Sequence, residues 1–127
     1  MERAVQLFAL VQLTVIGLSH LILPRPWAEF FLLLRSKGTA GAFFNGFLSL
    51  GFGSVIVAFH QVWSGPALAL TLLGCAQVLK ALLIFAVPGY GVRGLARVSL
   101  ERAWEFRVAG VVLLLFAGLC GYLLAAG

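Results

Sequence analysis

Lys80 stands inside an apolar run long enough to cross a lipid bilayer. An ammonium at that depth is costly, so it comes with a counter-charge, a water-filled space or a task. The other polar residues that bear on it are His20, Asn45, Gln77, Glu105 and Arg107. At a rise of 1.5 Å per helical residue, all of them lie within roughly 10–12 Å of the same membrane surface. Their chemistry fits a polar pocket opening on that side, able to hold an anion or another ion. Glu105 is the acid best placed in depth to pair with Lys80, because Glu2 falls on the opposite side and Glu29 and Glu101 fall in or near the loops. A second reading is a purely structural polar cluster. In it Lys80 reaches the headgroups along its ~6 Å stem, and Asn45 bridges two helices for ~0.6 kcal/mol.

Other constellations are missing. His60 lies at the far end of its span from His20, so the two histidines cannot share a metal within one chain, and no metal or cofactor is expected. Cys75 and Cys120 both fall in apolar runs with no Cys-x-x-Cys spacing and read as small packing residues. Ser64 and Ser99 have no nearby histidine and acid.

The elements that must position these groups are membrane helices. Of 127 residues, 62% are hydrophobic and 10% charged, against about 25% charged in soluble domains. The mean hydropathy is +1.09. The sequence therefore predicts an all-α, polytopic membrane protein forming a single transmembrane domain over residues 1–127. Four spans are expected, at about 4–23, 39–62, 66–87 and 99–126, each near the ~20 residues that cross ~30 Å of hydrocarbon. The first run has no charge and no A-x-A site, so it reads as a retained helix rather than a signal peptide. A Trp63-Ser64-Gly65-Pro66 turn makes spans two and three an antiparallel hairpin.

Charge sets orientation. Arg25, Arg35 and Lys37 follow span one, and Arg93, Arg97, Arg102 and Arg107 surround the start of span four, whereas the opposite side has only Arg3. The positive-inside rule makes both basic segments cytoplasmic and both termini external, as in a bacterial inner membrane. The net charge of +5 then faces anionic lipid headgroups rather than nucleic acid, since the basic residues flank apolar spans and form no long cluster. Residues 26–35 begin with Pro26, carry Glu29 early, and place Trp27, Phe30, Phe31 and Leu34 on one face, which predicts a short interfacial helix. Residues 92–98 repeat that pattern more faintly. Plain solvated loops are the alternative for both.

The chain also reads as two parallel helix–loop–helix repeats, about 4–62 and 66–126. Pro24 matches Pro88, Ser36 matches Ser99, and AFFNGF at 42–47 lies near AWEFRVAG at 103–110. Parallel repeats related by an axis along the membrane normal put a site at their interface. Pro24-Arg25-Pro26-Trp27 after a helix, followed by a basic stretch and a second helix, resembles a group of small uncharacterised two-helix bacterial inner-membrane proteins with Pro-x-x-Trp at this place. The resemblance covers about 45 residues of the first half, while in the second half Gly91 replaces the tryptophan. It implies a membrane location and no activity.

Small residues at Gly38, Ala42, Gly46 and Gly53 form a small-xxx-small stripe in span two, and Ala117 and Gly121 repeat it in span four, for helix packing or for oligomer contacts. Three functions fit. The first is a non-enzymatic accessory, assembly or scaffold subunit, partnered by other membrane subunits or by a second copy. The second is a small-solute or anion transporter using Lys80, Arg107 and Asn45. The third is a lipid-handling enzyme with His20 and Glu105 as an acid/base pair.

Overall fold

The computed structural model describes residues 1–127. The chain is all-helical. Four helices are long and apolar enough to cross a membrane, as a multi-pass protein requires: α1 (Glu2–Ile22), α3 (Thr39–Phe59), α4 (Leu68–Ala86) and α6 (Trp104–Ala126). Two shorter helices, α2 (Pro24–Ser36) and α5 (Pro88–Ala96), connect them at one end.

Proline chemistry makes the corners. Leu23 is held out of the α region by the ring of Pro24, with φ −123° and ψ 58°. Its N–H still closes α1 by donating to Ser19 at 2.8 Å. Pro24, lacking an N–H, then occupies the first turn of α2, where none is needed. Val87 and Pro88 repeat this arrangement, with φ −132° and ψ 82° at Val87 and a 2.8 Å bond to Leu83. These details correct three expected boundaries. The first short helix begins at Pro24 rather than Pro26, and the second runs from Pro88 rather than over 92–98. Residues Leu100–Ala103 are turns, so α6 begins at Trp104, not Ser99. Span two also ends early, at Phe59, because His60 turns out of the helix with φ −128° and ψ 82°.

The long helices pack as two antiparallel pairs, α1 with α6 and α3 with α4. The pairs meet mainly along α1 and α3, and α4 and α6 make no extended contact. Glycines set the closest approaches. A Cβ on Gly53 would stand 2.9 Å from the Gly74 carbonyl, and one on Gly110 would stand 2.7 Å from the Gly17 carbonyl. These contacts recur at a fixed interval. Gly46 packs on Ile84 and Phe85, and Gly110 on His20 and Leu21; 110 − 46, 84 − 20 and 85 − 21 all equal 64, as does 88 − 24 for the corner prolines.

Of the expected packing residues, Ala42, Gly46, Gly53 and Ala117 are buried between helices. Gly38 is not. It precedes α3 with φ 58° and has open space beside it, so its use is the left-handed turn. Gly121 touches only Leu10, at van der Waals distance.

The apolar core is split in two. One cluster, at the end bearing the chain termini, joins Val5, Ala9 and Leu13 to Ile56, Leu70, Ala117 and Cys120. The other, at the basic end, joins Leu34, Ala42, Ile84 and Leu95. Phe30 and Phe31 pack against this second cluster and hold α2 to the bundle.

Candidate functional site

At the first corner the short helix folds back over the end of α1. This puts Trp27 on His20, with ring centroids 4.0 Å apart, and lets the indole N–H donate to Ser19 Oγ at 2.7 Å. His20 is buried, and its Nδ1 lies 2.8 Å from the Ile16 carbonyl. A carbonyl only accepts, so Nδ1 carries the proton and Nε2 keeps its lone pair. Phe106 of α6 closes the other side at 5.8 Å. Arg107 Nε donates to the Leu21 carbonyl at 3.2 Å, placing a cation on the unsatisfied carboxyl end of α1.

A second group sits at mid-helix on the α3–α4 pair. Leu73, Gln77, Lys80 and Ile84 follow one another at helical spacing and share a face. Leu73 packs on one apolar cluster and Ile84 belongs to the other, so Gln77 and Lys80 lie in the layer between the two. Lys80 is six residues before the end of α4 at Ala86, about 9 Å along the axis. It is half-buried. On α3 the buried Ser49 stands near the level of Lys80, while Asn45, also half-buried, lies one turn nearer the basic end, next to Gly46, which packs on Ile84 and Phe85. The side chains of Asn45, Gln77 and Lys80 find no hydrogen-bond partner in the chain, whose polar contacts all lie elsewhere.

The six residues expected to share a pocket therefore fall into separate places. His20 and Arg107 meet on the α1–α6 pair, while Asn45, Gln77 and Lys80 share the α3–α4 pair. Glu105 is exposed in the first turn of α6. It lines a cavity of about 380 Å³ with Gly94, Arg97, Val98, Ser99, Arg102, Phe106 and Ala109. The expected Lys80–Glu105 ion pair does not form, because α4 and α6 stand apart. Nor do His20 and Glu105 pair: the histidine is committed to Ile16 and Trp27. Distance from a helix end, counted along the chain, gives neither the direction of a side chain nor its partner across the bundle.

One constellation escaped the sequence reading. At the end bearing the termini, His60 is fully buried just beyond α3. Its Nδ1 lies 2.9 Å from Thr71 Oγ1 and its Nε2 lies 3.2 Å from Gln6 Nε2. The Thr71 hydroxyl donates to the Val62 carbonyl at 2.7 Å. It must therefore accept from Nδ1–H, which leaves Nε2 to accept from the Gln6 amide. The neutral ring thus ties α1, the 60–67 loop and α4 together. Burial pulls the His60 imidazole below its usual value, partly offset by the Glu2 carboxylate and a backbone hydrogen bond. The available signal was a polar residue near the terminal end of each of two apolar runs, Gln6 and Thr71, at the level of His60.

No family model, curated protein or solved structure matches the chain.

Proposed function

We propose that this protein is a non-enzymatic accessory or assembly subunit of a bacterial inner-membrane complex, with both termini outside and the basic corners in the cytoplasm. The observation that carries the reading is Lys80 with Gln77 on one face of α4, and Asn45 a turn nearer the basic end on α3. Together they hold an ammonium and two amides that nothing in the chain answers, the ammonium about 9 Å inside the end of α4, where insertion is unfavourable though less so than the ~2.5–3.5 kcal/mol of a helix centre. A neighbouring membrane subunit bringing an acid or a polar side chain to these groups removes that cost.

The two parallel repeats, about 4–62 and 66–126, belong to the same proposal. They are supported by the 64-residue interval between equivalent contacts and by the pairing itself: exchanging the halves turns the α1–α6 pair into the α4–α3 pair. An interfacial placement of α2 is supported by Trp27, Phe30 and Phe31 facing inward from a basic segment.

The test is purification from native membranes in mild detergent, comparing the wild type with Lys80→Met. The expected outcome is a co-purifying membrane protein that the variant loses while its own fold is unchanged. Equal recovery of the same partner by both forms overturns the reading. A second reading, passage of a small anion, is favoured by the same unpaired ammonium. It is distinguished by flux in proteoliposomes of the isolated chain that Lys80→Met abolishes.

A further inference from the structure

A separate site lies between the second corner and α6, away from Lys80. The cavity of about 380 Å³ there falls within the size range of small-molecule sites. Its lining divides by chemistry. Arg97, Ser99 and Arg102 come from the connector, Glu105 from the first turn of α6, and Phe106 and Ala109 carry the wall one turn further along α6 toward its apolar part. The cavity is thus polar at its mouth and apolar along the helix.

The polar groups are free to bind. Ser99 Oγ accepts from the Arg102 N–H at 3.2 Å, which leaves its own hydrogen to donate. The backbone N–H groups of Ser99, Leu100 and Glu101 donate to no acceptor within the chain. Arg35, reaching from α2, donates to the Val98 carbonyl at 2.9 Å and fixes the connector in place. Arg97, Arg102 and Glu105 line one cavity, and their side chains do not hydrogen-bond one another. Two unpaired guanidiniums and an unpaired carboxylate are complementary to a ligand that carries both a phosphate and an amine.

We propose that this cavity binds the headgroup of an aminophospholipid, with the phosphate held by Arg97, Arg102 and the Ser99 hydroxyl, the ammonium by Glu105, and an acyl chain following Phe106 and Ala109. The apolar wall is what selects a lipid over a free phosphoamine. The site is independent of the subunit reading, since it uses none of the α3–α4 polar residues.

Native mass spectrometry of the full chain in detergent tests it, with phosphatidylethanolamine, phosphatidylglycerol and soluble glycerophosphoethanolamine as probes. The expected order is phosphatidylethanolamine ahead of phosphatidylglycerol, with the soluble compound weakest. Arg97→Gln with Arg102→Gln weakens both lipids by about tenfold or more. Glu105→Gln removes the preference between the lipids while keeping phosphatidylglycerol binding, a change of selectivity that misfolding does not produce. Equal binding of both lipids by the wild type overturns the proposal, as does unchanged binding by the double arginine variant. Binding of glycerophosphoethanolamine as tight as that of the lipid overturns the assignment to lipid and leaves a soluble phosphoamine as the ligand.

Discussion

The two proline corners have the same backbone and opposite contents. At the first, Trp27 lies on His20 with Phe106 opposite. At the second, the equivalents 64 residues away are Gly91, Ile84 and Ala42 (27 + 64, 20 + 64 and 106 − 64). There Gly91 sits so close that a Cβ would stand 3.0 Å from the Ala42 Cβ and 3.1 Å from Ile84 Cγ2. A helix can thus be turned under this bundle with small apolar residues alone. The fold does not demand the imidazole, the indole and the Ser19 hydroxyl of the first corner, so those groups stand out as candidates for something beyond packing.

That contrast can be broken by transplanting one corner into the other. Gly91→Trp has the largest expected effect. The indole has no room against Ala42 and Ile84, and the loss is about 3 kcal/mol or more, read as failure to accumulate or a collapsed Tm in detergent. A variant that folds normally shows the two corners to be less alike than their backbones. Trp27→Ala comes next, with an expected loss of about 2 kcal/mol for a half-buried aromatic, measured by the same thermal melt. His20→Ile then copies the second corner into the first. Because the second corner accommodates Ile84, the expected change in stability is under about 1 kcal/mol. A loss as large as that of Trp27→Ala would make the histidine a structural group after all.

The smallest effect separates the two histidines. The folded His60 imidazole binds its proton less readily than an unfolded one, whose ordinary value is 6.5. Above that value both states are neutral and the network contributes fully. As pH falls through it, the unfolded chain takes up the proton first, and stability declines until the folded ring protonates as well. Thermal melts from about pH 8 to pH 5 should show this acid loss in the wild type, and a smaller one in His60→Gln. If His20→Ile removes the loss instead, the first corner is the acid-sensitive one.

The four long helices were legible because uninterrupted apolar runs leave no other solution, and the corners because Pro24 and Pro88 act locally. The direction of each polar side chain was not. Lys80 lies six residues inside the end of α4 and Glu105 in the first turn of α6, and the choice of helix pairs, which rests on close contacts such as Gly53 with Gly74 and Gly17 with Gly110, keeps them further apart. The buried fate of His60 was hidden for the same reason: its partners Gln6 and Thr71 come from two other helices. The Trp27–His20 stack depends on how sharply Leu23 bends, an angle that composition does not encode.

The marriage of α1 to α6 has a price in time. On a ribosome α1 is made before α6, and α2 to α5 must follow before the seam through Gly17 and Gly110 can close. Until then α1 holds Gln6 and Gly17 without their partners, and other segments can occupy that face. Closure of the α1–α6 pair is therefore the step most exposed to wrong pairing, more so than the hairpin of α3 and α4, whose halves arrive in immediate succession.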